Sequence, residues 1–523
     1  MGNFEPMNWL LLGSSLVFGA ISSYVVIRII LAQEKRPAAP ARAGDFHHGP
    51  AGSIPRIGGI ALMAGLLLGP LLAWVCFGGG QHYSREGWVI LGTAMAMFAV
   101  GLWDDLRALG ARRKLLLQIL VAAAACYGGL CVQEFKIPLT ERIIDLGGIG
   151  GFIFTVFWLV AFTNLINLID GVDGLAGGIA LMTMVLLVYV CGATPGVQVL
   201  CAGMAGALII FLRYNFPPAR LYMGDGGAYL LGFLIGTVAI VSSHKGTVLA
   251  ALIAPLFVLA LPILDTSLAI LRRGLRGLPV FRPDRRHIHH RMLQLGWSRR
   301  RTVLTLYCFC LLFLAFGFGT FASRGQLAPL FAGLGALVLL MAARKLSFSR
   351  EWFAVGRVVG NSLQMRAEIQ YALVQTQWLV MEGRRSRSVE ELWEDLVFVS
   401  RKLGFVSIRL RLCDGERFAD DSGDCPNLIS FHTQLAGGRL GEIELKACVA
   451  EMRPAYSATP EPCHCLVAHP RRIADRQTAE VLGEVLAEGW SKTARTWLRY
   501  HGPAGSEIRF AMNRLLVPAT GNN

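Results

Sequence analysis

Long apolar segments recur through the first two thirds of this chain and constrain its fold more than any other feature. Hydrophobic residues make up 54% of the 523 residues and charged residues only 16%, a balance that excludes an ordinary soluble protein. About eleven segments approach the 17–25 residues that a helix needs to cross a bilayer. We expect them at roughly 8–32, 57–78, 88–103, 115–133, 152–168, 176–193, 197–213, 228–243, 248–271, 302–321 and 326–343. The sequence therefore predicts a polytopic α-helical membrane protein.

The basic residues of the predicted loops lie mainly on one side of this helix array. The loops on that side contain Lys35, Arg36, Arg42, Arg56, Arg107, Arg112, Arg113, Lys114, Arg213, Arg220 and the arginine-rich stretch 272–301. Cytoplasmic loops are enriched in Lys and Arg, so we expect an external N-terminus and a cytoplasmic C-terminal tail. This distribution explains most of the net charge of +15. Because the basic residues are dispersed over loops, nucleic-acid binding is excluded.

Carboxylates follow three of the apolar segments, all on the predicted cytoplasmic side. They belong to Asp104 and Asp105, to Asp170 and Asp173, and to Asp225. An ionisable residue at a bilayer boundary is costly and therefore points to a functional site. Three such clusters on one side predict a single site that binds a cation and handles phosphate.

Asp225 is the first candidate for a metal ligand. It lies in the turn Gly224–Gly227, where glycines let backbone approach closely. Mg²⁺ prefers oxygen ligands and takes one or two carboxylates plus substrate phosphate, so we expect Mg²⁺, with Mn²⁺ as a substitute. Asp104 and Asp105 diverge by about 100° on a helix. One is expected to face phosphate or metal, while the other orients a neighbour.

Polar residues elsewhere on the same side are candidates for substrate contacts. Asn164 and Asn167 precede Asp170 at intervals of three residues, and their amides can satisfy sugar hydroxyls or uracil. Polar contacts between helices are the alternative for Asn164. The loop with His287, His289, His290 and Arg291 suits a pyrophosphate, although a solvated basic loop and a metal site remain alternatives.

Five ordered segments resemble the polyprenyl-phosphate N-acetylhexosamine-1-phosphate transferases of glycosyltransferase family 4. The segments are 53–59 (SIPRIGG), the Asp104–Asp105 pair, 164–176 (NLINLIDGVDGLA), 214–227 (YNFPPARLYMGDGG) and 287–291 (HIHHR). The resemblance covers about residues 1–345. It implies an enzyme that moves a sugar 1-phosphate from a UDP-sugar, with UDP-N-acetylglucosamine expected, to undecaprenyl phosphate in the bacterial inner membrane. UMP would leave, and the lipid product would initiate a cell-surface glycan.

The resemblance also implies roles for single residues. One of Asp104 and Asp105 would deprotonate the lipid phosphate or act as nucleophile, and Asp225 would hold the metal. Tyr222 would stack on uracil, with core packing as the alternative. The other catalytic candidates are Asp170, Asp173, His290 and Arg291, and the other substrate-binding candidates are Arg56, Lys114, Asn164, Asn167, Asn215, His287 and His289.

Other functions remain as alternatives. The form His-Ile-His-His-Arg resembles the branch that uses UDP-N-acetylhexosamines, which leaves phospho-MurNAc-pentapeptide transfer second. A transporter would place its polar site near the bilayer midplane, and a sensor would leave the loop motifs unexplained. A homodimer is left open.

The tail, 351–523, has a different pattern from the transferase region at 1–350. Alternation at 406–412 and 441–446 predicts strands, with helices near 362–383, 388–403 and 473–498. We expect a separate cytoplasmic α/β domain, faintly similar to a GAF-like fold. A small hairpin is expected within 134–151, and the scattered cysteines are expected to be reduced.

Overall fold

A computed structural model of the chain describes residues 9–33, 54–77, 85–107, 109–136, 143–192, 194–243, 248–275, 292–293, 295–345, 367–412, 415–421, 428–435, 441–448, 473 and 476–500. The chain divides into two compact units. Among the described residues, the first unit comprises those of 9–271 and 292–345, and the second those of 272–275 and 367–500.

The first unit is almost entirely helical. Its helices are α1 (Trp9–Gln33), α2 (Gly58–Phe77), α3 (Arg85–Leu106), α4 (Ala111–Tyr127), α5 (Gly147–Ile169), α6 (Leu175–Val190), α7 (Pro195–Asn215), α8 (Gly224–Ser243), α9 (Val248–Val258), all but the last turn of α10 (Ala260–Leu275), α11 (Arg299–Ala322) and α12 (Ala328–Lys345). In the described part of the chain, seven helices are long and apolar enough to cross a membrane: α1, α2, α3, α5, α7, α8 and α11. The count of about eleven spans stays a prediction.

Helix α8 lies at the centre of the first unit and is almost wholly buried. Glycines let its neighbours approach backbone to backbone. A Cβ added at Gly101 of α3 would lie 2.5 Å from the carbonyl oxygen of Asp225, and one at Gly232 would lie 2.4 Å from that of Phe162 on α5. The ends of α3, α5 and α8 are therefore held in fixed relation to one another.

The single helix predicted over 248–271 is wrong, because α9 and α10 are separated at Leu259. Pro262 has no N–H to donate to the carbonyl of Val258, and its ring obstructs the preceding turn. Backbone bonds from Leu259 to Pro255 and from Ile263 to Leu259 still bridge the break.

The predicted hairpin is confirmed, as β1 (Glu134–Lys136) pairs antiparallel with β2 (Ile143–Asp145). The expectation of reduced cysteines is wrong at one pair, since Cys126 and Cys131 form a disulfide. They are five positions apart in sequence, and the turn after α4 brings them together. They lie at the end of α4 opposite to Lys114, away from the aspartate clusters.

The second unit contains helices around an antiparallel sheet. Its elements are α13 (367–382), α14 (Val389–Lys402), β3 (Phe405–Leu412), β4 (Gly415–Asp420), β5 (Leu428–Gln434), β6 (Glu442–Cys448) and α15 (Arg476–Tyr500). The strand order is β4-β3-β6-β5. Ile408 and Leu445 pair across β3 and β6 and join a core with Trp490 of α15. The predicted strands and helices are confirmed, whereas β4 and β5 were not expected from the sequence.

Candidate active site

Lys114 joins two carboxylates that are far apart in sequence. Its ammonium pairs with Asp104 at the end of α3 and lies 3.1 Å from Oδ2 of Asp225 in the first turn of α8. The Asp104 and Asp225 carboxyl groups also lie within hydrogen-bonding reach of each other. The side chain of Asp104 is only 7% exposed, and its Oδ1 accepts a bond from the backbone N–H of Leu109. The predicted convergence of these clusters is present in the structure.

Asp105 points to a different partner from Asp104. Its two carboxylate oxygens accept bonds from the backbone N–H groups of Asp225 and Gly226, each at 2.9 Å. These donors belong to the first turn of α8, where N–H groups have no partner within the helix and the helix dipole favours a negative charge. Asp105 therefore fixes the turn that presents Asp225.

The segment before α2 pairs with the loop before α8. The N–H groups of Gly58 and Gly59 donate to the carbonyls of Tyr222 and Met223, at 3.0 and 2.9 Å. The N–H of Tyr222 donates to Pro55. A Cβ at Gly58 would lie 2.5 Å from the carbonyl oxygen of Tyr222, so only glycine fits. This pairing brings Arg56 and Tyr222 to the site.

Arg56 is close enough to Asp105 and Asp170 to act on them electrostatically. Tyr222 is 8% exposed, and burial raises the pKa of its phenol, with Asp173 raising it further. A neutral aromatic ring is thus held at the edge of the carboxylate cluster.

Asp170 and Asp173 occupy the turn between α5 and α6. Burial raises the pKa of Asp170 well above its usual value, and the charges of Asp225 and Asp105 raise it further. Asp173 is buried, and its Oδ2 lies 3.6 Å from the guanidinium of Arg299 at the start of α11. The turn thus adds two carboxylates to the cluster formed by α3 and α8.

Asn215 uses both ends of its amide on backbone. Its Oδ1 accepts from the N–H of Gly174 at 2.9 Å, and its Nδ2 donates to the carbonyl of Leu221 at 2.8 Å. The Tyr307 hydroxyl donates to the carbonyl of Gly174. Asn215 is 2% exposed, so in this structure it ties two loops together, which differs from the substrate-binding role expected from the sequence.

Asn164 contacts a residue that sequence reasoning missed. Its Nδ2 donates to Gln118 Oε1 at 2.7 Å and to the carbonyl of Val160. Gln118 lies four residues after Lys114, on the same face of α4, a spacing that could have identified it. Asn167 is half-buried one turn beyond Asn164. The predicted phosphate-binding residues His287, His289, His290 and Arg291 lie outside the described residues.

The pair Asp104 and Asp225 fits a divalent cation. Both offer carboxylate oxygens to one position, and in this structure the Lys114 ammonium lies there, which shows that the pair attracts a positive charge. Within the described ranges, no cluster of three or more His, Cys, Asp or Glu side chains could hold a metal alone. Two carboxylates with phosphate oxygens and water completing the shell match what Mg²⁺ accepts.

The chain is similar to several known proteins. The model of glycosyl transferase family 4 matches residues 87–243. A probable undecaprenyl-phosphate N-acetylglucosaminyl 1-phosphate transferase of Bacillus subtilis is 36% identical over 49% of this chain and 70% of its own length. A decaprenyl-phosphate N-acetylglucosaminephosphotransferase of Mycobacterium leprae is 32% identical over 53% and 75%. A phospho-N-acetylmuramoyl-pentapeptide-transferase of Desulforudis audaxviator is 30% identical over 56% and 90%.

Proposed function

This chain belongs to glycosyl transferase family 4, and from that membership we propose that it transfers N-acetylglucosamine 1-phosphate from UDP-N-acetylglucosamine to undecaprenyl phosphate. The products are undecaprenyl-diphosphate-N-acetylglucosamine and UMP. The observation that carries the proposal is the convergence of Asp104, Lys114 and Asp225 at one end of the helical unit. Two relatives that are named as N-acetylglucosamine 1-phosphate transferases acting on undecaprenyl and decaprenyl phosphate support the same reaction.

The reaction makes one bond and breaks another at the β-phosphorus of the donor. An oxygen of the lipid phosphate bonds to that phosphorus, and the bond to the oxygen bridging the two phosphates breaks, which releases UMP. Phosphoryl transfer mainly requires positioning and charge neutralisation by the protein. Lys114 supplies a positive charge at the phosphates, and Arg56 supplies another beside Asp170.

Asp104 is the carboxylate that we assign to the lipid phosphate, as acceptor of its proton. Asp105 is instead a positioning residue, because both of its oxygens are engaged by the first turn of α8. Their different contacts support this division of roles between the two neighbours. Tyr222 would stack on uracil, as the family resemblance implies, since it lies close enough to Asp173 and Arg56 to interact with their charges.

We propose Mg²⁺ as the cofactor, with Mn²⁺ as a substitute. Asp225 would hold it with Asp104 beside it, because these carboxylates share one position. When bound, the ion neutralises charge on the phosphates. Asp170 and Asp173 would orient the surrounding turn, and the basic loop at 287–291 would add cationic contacts to the phosphates.

The membrane arrangement is also a proposal. About eleven spans in the bacterial inner membrane, with the N-terminus outside, would put the active site and the tail in the cytoplasm. Residues 1–350 would form the transferase domain and residues 351–523 an accessory α/β domain. The differing composition of the two regions supports this division.

The test compares donors with purified full-length protein, undecaprenyl phosphate and Mg²⁺. We expect UMP release from UDP-N-acetylglucosamine that depends on the lipid phosphate and is abolished in Asp104→Asn. Faster release from UDP-MurNAc-pentapeptide would favour the second candidate, which rests on the 30% identical relative. Lipid-independent release of UMP would contradict the proposal.

A further inference from the structure

Gln118 and Asn164 form an amide pair between α4 and α5 that the proposed chemistry does not use. Gln118 is 1% exposed, and its Oε1 accepts from Asn164 Nδ2 at 2.7 Å. Its Nε2 is buried and has no hydrogen-bond partner among the described residues. A buried donor without a partner is costly, so its retention here requires an explanation.

The orientation of the two amides follows from their contacts. Asn164 Nδ2 also donates to the carbonyl of Val160 at 2.8 Å, which fixes its nitrogen toward the helix backbone and leaves Oδ1 free to accept. The described residues give Oδ1 no donor. The pair therefore presents the amide N–H₂ group of Gln118 and the acceptor Oδ1 of Asn164, neither with a partner among the described residues.

The pair is placed within reach of the reacting phosphates. Gln118 lies four residues after Lys114, about 6 Å along α4, on the face that carries the Lys114 contacts with Asp104 and Asp225. Asn164 is half-buried and lies one turn before Asn167 on α5. A sugar attached to a phosphate at Lys114 and directed along α4 would lie beside the pair.

The chemistry of the pair selects among the groups that could occupy it. A phosphate offers only acceptors, so its negative charge would be repelled by the oxygen Oδ1 of Asn164. In the proposed reaction the phosphates are instead neutralised by Lys114. A hydroxyl both donates and accepts through one oxygen, so it can satisfy both free atoms. Neutral amides also bind a neutral hydroxyl in an apolar setting at lower cost than a charge.

We propose that Gln118 and Asn164 bind a ring hydroxyl of the donor sugar and thereby contribute to sugar specificity. The inference rests on the proposed function and adds Gln118 as a specificity residue. It also accounts for the buried Gln118 nitrogen, which gains its acceptor when the donor binds.

The test separates the sugar from the nucleotide with Gln118→Met in the full-length protein, which keeps the side-chain volume and removes both polar atoms. Calorimetry should show unchanged affinity for UDP and about tenfold weaker binding of UDP-N-acetylglucosamine, as expected for one neutral hydrogen bond. Asn164→Leu, as a second variant, should behave alike. The control is Leu116→Ala at an exposed position of α4, which should bind both ligands as the wild type does.

Donors deoxygenated singly at C3, C4 or C6 identify the hydroxyl. One of these deoxygenated donors should bind the wild-type protein about tenfold more weakly than UDP-N-acetylglucosamine does. Its affinity for Gln118→Met should equal that of UDP-N-acetylglucosamine for the same variant, because the hydroxyl and Gln118 form one contact and their losses are not additive. The inference would be overturned if Gln118→Met lost as much affinity for UDP as for UDP-N-acetylglucosamine. It would also be overturned if the wild-type protein bound all three deoxygenated donors as tightly as UDP-N-acetylglucosamine. If the wild type binds UDP-N-acetylglucosamine but transfers nothing to the lipid, the proposed function fails while the sugar contact can still be measured.

Discussion

Replacing Asp105 by Asn tests how α8 is held at the active site. The Asp105 carboxylate accepts two backbone bonds at 2.9 Å, from Asp225 and Gly226. Asn keeps one acceptor and turns an amide N–H₂ toward the second donor. The loss of one hydrogen bond to a charged group costs about 1.5–3 kcal/mol. The Asn N–H₂ group and the backbone N–H that faces it are both donors, and their repulsion displaces the first turn of α8.

The displaced turn carries Asp225, so the reaction should suffer more than the fold. A misplacement of about 1 Å at a reacting centre can cost about 10²-fold in rate. We expect a rate loss of that size in Asp105→Asn and a higher Mg²⁺ concentration for half-maximal activity. The assay is lipid-dependent UMP release across a Mg²⁺ titration, with thermal unfolding measured on the same samples.

Asp104→Asn is the matched control, one residue away. It should also lose activity and some stability, but through loss of the ion pair with Lys114 and not through displacement of α8, because among the described residues its oxygens accept no bond from the backbone of α8. If Asp105→Asn keeps the wild-type Mg²⁺ response while its rate falls, Asp105 acts on substrate directly and the assignment of the two aspartates is reversed.

Three further predictions concern the metal, the turn after α5 and the tail. Asp225→Asn, like EDTA treatment, should abolish turnover while circular dichroism shows an intact fold; near-normal activity in either case would remove the metal assignment. Because the pKa of Asp170 is raised in the fold, its charged form destabilises the protein, and Asp170→Asn should raise the unfolding temperature of substrate-free protein at neutral pH. The increase should become smaller as the pH falls and the wild-type carboxyl takes up a proton. A lower unfolding temperature of Asp170→Asn at neutral pH would contradict this. Truncation after about residue 350, tried at several positions, should retain transfer, and uniform inactivity of well-folded truncations would contradict the division into domains.

Most helices of the first unit could be predicted from the sequence, because a helix that crosses a bilayer needs an apolar segment of a certain length. It could not locate the break at Leu259, where the pattern stays apolar on both sides of Pro262. In the second unit, β3 and β6 alternate clearly, whereas β4 is an edge strand with little apolar alternation. A strand of this kind forms because it pairs with β3, and its own residues do not indicate that pairing.

The candidate site was predictable as a set of residues but not as a set of contacts. Helix geometry indicated that Asp104 and Asp105 diverge, yet only the packing of α3 on α8 reveals that Asp105 accepts bonds from the first turn of α8. Asn215 looked like a ligand contact, although its amide is taken up by backbone. Gln118 attracted no prediction because a single glutamine in an apolar helix has no motif of its own.

The central claim is that the β-phosphate of the donor moves together with the sugar. UDP-N-acetylglucosamine carrying radioactive phosphorus in its β-phosphate, incubated with purified protein, Mg²⁺ and undecaprenyl phosphate, tests this directly. We predict that the label enters the lipid fraction in step with the release of unlabelled UMP, and that Asp225→Asn prevents both. Label that stays in solution as UDP while sugar enters the lipid would contradict the account.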